Sequence, residues 1–151
     1  MSKVRILSPR PQNSKMSENK KPRVGIGCWI FDPMGRVLLG RRLSIHGLGT
    51  WAPPGGKAEY DEMPTHCATR ELREETGIIV PENKFHLIGI TSDIYPYAHY
   101  ITLHYRADGI ITEPKLREPE KCDEWRWFAL DNLPNPLFLS AQNLLKTHPR
   151  I

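Results

Sequence analysis

From Val24 to Phe31 the chain is apolar and rich in β-prone residues, the pattern of a strand. Asp32-Pro33-Met34-Gly35 follows as a turn. Arg36 to Arg41, carrying Val37-Leu38-Leu39, then reads as the returning strand of a hairpin. The apolar pattern lapses into a loop between Arg42 and Gly49. Thr50-Trp51-Ala52-Pro53-Pro54-Gly55-Gly56 excludes helix and predicts a shaped loop, because proline donates no backbone hydrogen bond and glycine favours turns. The spacing becomes helical from about Met63 to Thr76, with Ala68 and Leu72 facing inward and glutamates outward. Pro64 suits the first turn of that helix and Gly77 its C-terminal cap. Phe85 to Asp93 and Tyr100 to Ile111 read as long strands, Trp125 to Ala129 as a short one, and Leu137 to Lys146 as a closing helix. Strands, helix, strands, helix in this order predict an α/β sandwich of mixed sheet with helices on its faces.

A length of 151 residues, with 39% hydrophobic and 25% charged positions, fits one globular domain, expected over 23–151. No apolar run approaches a membrane span. Cys28, Cys67 and Cys122 are an odd number at no metal-like spacing. They predict reduced thiols and a cytoplasmic setting, and no catalytic role. The net charge of +4 is unevenly spread. Residues 1–22 hold six basic residues and one acid, a net +5, which leaves −1 for the remainder. The basicity therefore belongs to a tail rich in Pro, Ser, Asn and Lys, expected to be disordered, within which Met16 is an alternative start. A near-neutral body argues against nucleic acid as a partner, and nothing in the chain suggests a membrane.

The chemistry concentrates in residues 55–78. A glycine pair, Gly55-Gly56, precedes Glu62 and then Arg70-Glu71-Leu72-Arg73-Glu74-Glu75 and Gly77. On a helix Glu71, Glu74 and Glu75 are neighbours on one face, with Cβ atoms roughly 5–6 Å apart. Like charges that close repel, and a divalent cation between them would relieve the repulsion. Carboxylate oxygens suit Mg²⁺, which binds a few carboxylates plus substrate phosphates and retains waters. The rival reading of a solvated acidic helix does not account for the upstream glycines.

Gly56, Glu62, Arg70, Glu71, Leu72, Glu74, Glu75, Gly77 and Ile78 stand at the spacing of the Nudix hydrolase signature, which the chain resembles at every fixed position. The resemblance implies the Nudix α/β/α sandwich and hydrolysis of a nucleoside diphosphate linked to a further group. By the same resemblance Glu71, Glu74 and Glu75 are metal ligands, with Glu71 as general base in some members, and the Gly55 carbonyl is a further ligand. Arg70 and Glu62 form an orienting pair. A glutamate outside the signature often completes the set, and Glu120 and Glu124 are the candidates, Glu120 being preferred. Bound Mg²⁺, or Mn²⁺ in its place, would lower the pKa values of these carboxylates. Ala58 and Asp61 depart from the bulky aliphatic and the glycine common in the family, without removing a ligand.

Leu39-Gly40-Arg41-Arg42, Glu118-Pro119-Glu120-Lys121-Cys122, Trp125-x-Trp127 and Asn132 to Phe138 resemble a subgroup of small, dimeric MutT-like nucleotide diphosphatases, which implies a homodimer. The expected substrate is a nucleoside triphosphate, such as 8-oxo-dGTP or dihydroneopterin triphosphate, cleaved to monophosphate and pyrophosphate. Alternatives are an ADP-ribose or nucleotide-sugar pyrophosphatase, an RNA 5′-end pyrophosphohydrolase, and a non-catalytic nucleotide sensor. Arg41 and Lys57 are candidates for phosphate contacts. Phe31, Tyr95, Tyr97, Tyr100 and Phe138 are candidates for base stacking, with Tyr100 and Phe138 foremost. His46 and His99 are weaker candidates for a base or phosphate contact. Trp51, Trp125 and Trp127 are expected in the core.

Overall fold

The computed structural model describes residues 20–151. The tail reading falls outside them except for its last three residues. Seven strands and two α-helices follow in the order β1 (Arg23–Ile30), β2 (Val37–Arg42), β3 (Trp51–Ala52), β4 (Gly55–Lys57), α1 (Pro64–Thr76), β5 (His86–Ile94), β6 (His99–Ala107), β7 (Cys122–Phe128) and α2 (Leu139–Thr147). They form a four-stranded sheet, β4-β1-β6-β5, and a three-stranded sheet, β3-β2-β7. The larger sheet is mixed, with β1 parallel to β6 and antiparallel to β4.

β1 and β2 do not form the expected hairpin. The turn between them is present. Asp32 accepts from the backbone N–H groups of Met34 (3.0 Å) and Arg36 (2.8 Å) and from Arg36 Nε (2.7 Å). After the single bridge Phe31–Val37 the strands part into different sheets. β1 is apolar on both faces and becomes a central strand, so both its edges are taken by β4 and β6. The segment expected to be a shaped loop also contains two short strands, β3 and β4. Pro53 and Pro54 lie between them and have no N–H to give a ladder. There the chain crosses from one sheet to the other.

Two apolar cores lie on opposite faces of the mixed sheet. Ile26, Cys28 and Ile30 of β1 pack with Cys67, Ala68 and Leu72 of α1. Trp29, Phe31, Val37 and Leu39 pack with Trp51 and with Ala141 and Leu144 of α2. Alternation along β1 supplies both. Burying a side chain such as Leu72 in full contributes about 1.5–3 kcal/mol. Pro64 opens α1. Gly77 closes it in the left-handed region (φ 76°), its N–H donating to the Arg73 carbonyl at 2.9 Å. All three cysteines are buried and free. Among the described residues no helix is long and apolar enough to cross a membrane.

Candidate functional site

α1 lays its acidic face across β4, and two glycines make the approach close enough to matter. A Cβ on Gly56 would stand 2.5 Å from the Glu71 carboxyl, and one on Gly55 would stand 2.0 Å from the Ile26 carbonyl oxygen. A side chain at Gly55 would require the backbone of β1 to move, and one at Gly56 would displace the Glu71 carboxyl. The Gly55 N–H donates to Glu75 Oε2 at 3.2 Å. Glu71 and Glu75 lie within hydrogen-bond reach of each other. Burial, foremost, raises the Glu75 carboxyl well above the ordinary range, and the charges of Glu71 and Glu118 add to it. Burial also raises Glu71, against the pull of Arg70. Glu71 and Glu75 thus resist joint ionisation, a condition that a cation reverses.

Arg70 organises the entrance. Its Nε and Nη2 grip both oxygens of Glu62 (2.6 and 2.9 Å), while Nη1 reaches Glu71 Oε1 (2.9 Å) and Glu74 Oε2 (3.3 Å). The guanidinium beside it holds Glu62 down to about 2. Such a bidentate fork fixes geometry as well as charge. Glu74 stays 44% exposed and is not among the residues lining the cavity described next. Among the described residues no three His, Cys, Asp or Glu side chains converge as a ready cage for an ion. The donor set is therefore two half-buried carboxyls beside a glycine turn, which suits a hard cation that completes its shell with water and phosphate oxygen.

A cavity of about 340 Å³ runs from Glu71, Glu75 and the Gly55-Gly56 turn to an aromatic end. Of the substrate candidates it brings together Lys57, Tyr95, Tyr100 and Phe138, with His46 among them. Arg41 does not reach it. Its guanidinium pairs with Asp123 (2.9 Å) and lies over Trp51 (5.5 Å to the ring centre). Arg42 lines the cavity instead, with Nε donating to the His46 carbonyl (2.9 Å) and the guanidinium over Phe138 (4.6 Å). Strand parity held that signal, since Arg42 shares the side of β2 with Leu38 and Gly40. Glu120 is exposed and stands outside the lining, and Glu124 is paired with Arg126 at 2.6 Å. Glu118 faces the cavity, because the turn from Glu118 to Cys122 carries Glu118 and Lys121 to one side.

Phe31 is core, with Arg106 over its ring, and Tyr97 is exposed outside the cavity, its hydroxyl 2.8 Å from His46 Nδ1. Trp51 and Trp127 pack in the two cores as expected, whereas Trp125 both packs on the first core and lines the cavity. His46 lies inside the aromatic end, with ring centres 4.5 Å from Tyr95, 5.2 Å from Tyr100 and 5.3 Å from Phe138. His99 pairs with Ser92 (2.6 Å), away from the lining. Sequence reasoning missed Asp93, Thr102 and His104, which line the cavity and are buried. A polar residue at every inward position of β6 (Tyr100, Thr102, His104) was the available signal.

A model of the NUDIX domain matches residues 21–148. Over 104 residues the chain is 36% identical to an oxidized purine nucleoside triphosphate hydrolase of Danio rerio, covering 66% of this chain and 62% of the relative. It is 29% identical to the NAD-capped RNA hydrolase NudC of Stutzerimonas stutzeri over 113 residues, covering 75% of this chain and 39% of that one. The chain thus spans less than two thirds of these two curated relatives. A crystal structure of a MutT NUDIX hydrolase from Burkholderia pseudomallei superposes with a TM-score of 0.77 at 33% identity, covering 84% of this chain and 98% of that one.

Proposed function

The chain belongs to the NUDIX family, and from that membership we propose that it hydrolyses a phosphoanhydride in a nucleoside diphosphate derivative. The substrate of this reading is a nucleoside triphosphate, leaving a monophosphate and pyrophosphate. The supporting observation is one cavity that joins a pair of half-buried carboxyls to a flat aromatic pocket, as a molecule with a polyanionic end and a planar end requires.

In this reading Glu71, Glu75 and the Gly55 carbonyl hold Mg²⁺ or Mn²⁺, with Glu118 and Glu74 flanking them. The ion supplies charge neutralisation at the phosphoryl oxygens and a more acidic bound water. Arg70 orients Glu71 and Glu74 while Glu62 anchors Arg70. Lys57, Lys121 and Arg42 line the cavity and supply positive charge for the phosphate chain. The aromatic end excludes water and orients the base. The protein contributes positioning and electrostatics rather than covalent chemistry.

A panel of nucleoside triphosphates, ADP-ribose and 5′-triphosphorylated RNA, incubated with Mg²⁺ and then Mn²⁺, tests the reading. A triphosphate converted to monophosphate and pyrophosphate, with the activity lost on adding EDTA, is expected. Preferred cleavage of ADP-ribose or RNA would move the substrate class, and no metal-dependent turnover of any compound would refute the hydrolase.

A further inference from the structure

Glu118 and Lys121 line the cavity as a pair, and the backbone between them explains why. Glu118-Pro119-Glu120-Lys121 is a turn in which the Glu118 carbonyl accepts from the Lys121 N–H at 2.9 Å. Proline stands at the second position, where its fixed φ suits the turn. The Cys122 N–H donates to the same carbonyl (3.1 Å), and the Lys121 carbonyl accepts from the Leu43 N–H (2.9 Å). The turn is thereby tied to β7 and to the segment after β2. It leaves Glu120 exposed and brings the two flanking side chains together, with Lys121 Nζ 3.2 Å from Glu118 Oε2.

Among the described residues Lys121 is the one cation paired with Glu118. Its hydrogen bond to Glu118, foremost, raises the Lys121 pKa, and the charges of Glu71 and Glu75 add to the effect. The ammonium thus lies near the same carboxyls that the hydrolase reading gives to a divalent cation. The pair is open to water, with the Lys121 side chain 62% exposed and that of Glu118 25% exposed. An ion pair this exposed favours contact by a factor of only about two to five. A divalent ion, with twice the charge, prevails over an ammonium at one carboxylate. Lysine carries its charge on a flexible stem without a locking fork, so it can leave Glu118 while the backbone stays in place.

We infer that Lys121 is a displaceable counter-ion for Glu118: a divalent cation takes the carboxylate from it, and the freed ammonium turns to the phosphate chain of the substrate. The inference rests on the nucleotide-hydrolase reading above. Lysine and cation are rivals for one carboxylate, whereas lysine and phosphate are partners. Lys121 therefore weakens metal binding while it strengthens substrate binding. A lysine that only met phosphate would leave the cation unaffected. One that only added positive charge to the cavity would act on the cation through space, whether or not Glu118 kept its charge.

Titration with Mn²⁺ alone, followed by electron paramagnetic resonance, reads the metal affinity without nucleotide. Lys121→Gln should tighten Mn²⁺ binding by about threefold, and Lys121→Arg, which can re-form the pair, should stay within about 1.5-fold of the parent. In a Glu118→Gln protein the same Lys121→Gln change should alter the affinity by less than about 1.5-fold, because the rivalry needs the carboxylate. With a nucleoside triphosphate and saturating Mg²⁺, Lys121→Gln should raise KM by about fivefold or more. Mn²⁺ affinity unaltered by Lys121→Gln, or tightened equally with and without the Glu118 charge, overturns the inference and leaves the hydrolase standing. An unaltered KM overturns it as well. Should no nucleotide be cleaved, the hydrolase reading falls and the Mn²⁺ titration still decides the rivalry. A parent protein that binds no Mn²⁺ overturns both.

Discussion

His104 supplies the most direct test of how the interior is wired. Its Nδ1 lies 2.9 Å from Trp29 Nε1 and its Nε2 lies 2.9 Å from Thr91 Oγ1. An indole nitrogen only donates, so Nδ1 must be the acceptor and the imidazole proton must sit on Nε2, directed at Thr91. The ring is 1% exposed. Burial, foremost, drops its pKa to about 4, with Asp93 opposing and His148 assisting. The unfolded chain titrates near 6.5, so between about pH 6.5 and 4 it binds a proton that the native state refuses. Stability therefore rises with pH across this window. The contribution is complete above 6.5, is lost as pH falls toward 4, and changes no further below that. About 2.5 units at 1.36 kcal/mol each amounts to about 3 kcal/mol, a large part of a typical domain stability of about 5–15 kcal/mol. His104→Asn keeps an acceptor for Trp29 and cannot titrate. Urea denaturation of both proteins from pH 7.5 to pH 4 measures the difference. The parent should lose about 3 kcal/mol more than the variant. A stability difference between the two proteins that stays constant with pH would refute the burial argument.

Glu75→Gln removes one of two neighbouring carboxyls that resist ionising together, so the metal-free protein should melt at a higher temperature while turnover falls by at least about 100-fold. A lower melting temperature with undiminished turnover would count against it. Arg70→Ala leaves the Glu62 carboxylate buried and unmatched. Because Arg70 is 15% exposed, the cost should fall near about 2–3 kcal/mol by denaturation, with a matching fall in kcat. An unperturbed unfolding midpoint would contradict the orienting role. Asp61 holds a left-handed backbone (φ 64°) where the family commonly has glycine. Asp61→Gly should stabilise by about 0.5–1 kcal/mol, read as a rise in melting temperature, and no rise would mean that glycine's unfolded-state entropy cancels the relief.

The acidic strip was legible because it is local. Gly56, Glu62, Arg70, Glu71 and Glu75 lie within a single turn-and-helix unit. Fixed helical geometry converts their spacing into proximity without help from the rest of the chain. The burial of Ala68 and Leu72, the glycine cap at 77 and the core positions of Trp51 and Trp127 followed from periodicity in the same way. What periodicity could not convey was which edges meet. β1 and β2 are joined by a good turn, yet the apolar faces of β1 demanded two neighbours, and β6, some 75 residues away, supplied one of them. That pairing carries Thr102 and His104 beneath the glycines of β1, and the pairing of β5 with β6 sets Asp93 against Tyr100. Parity along β2 turns Arg42 rather than Arg41 into the cavity, and the turn from Glu118 to Cys122 does the same for Glu118 rather than Glu120. Local spacing thus determined the acidic helix and its glycine bend. The cavity that would choose a substrate arose only when strands distant in sequence were brought side by side, because register between such strands is settled by packing of the whole core rather than by any short run of residues.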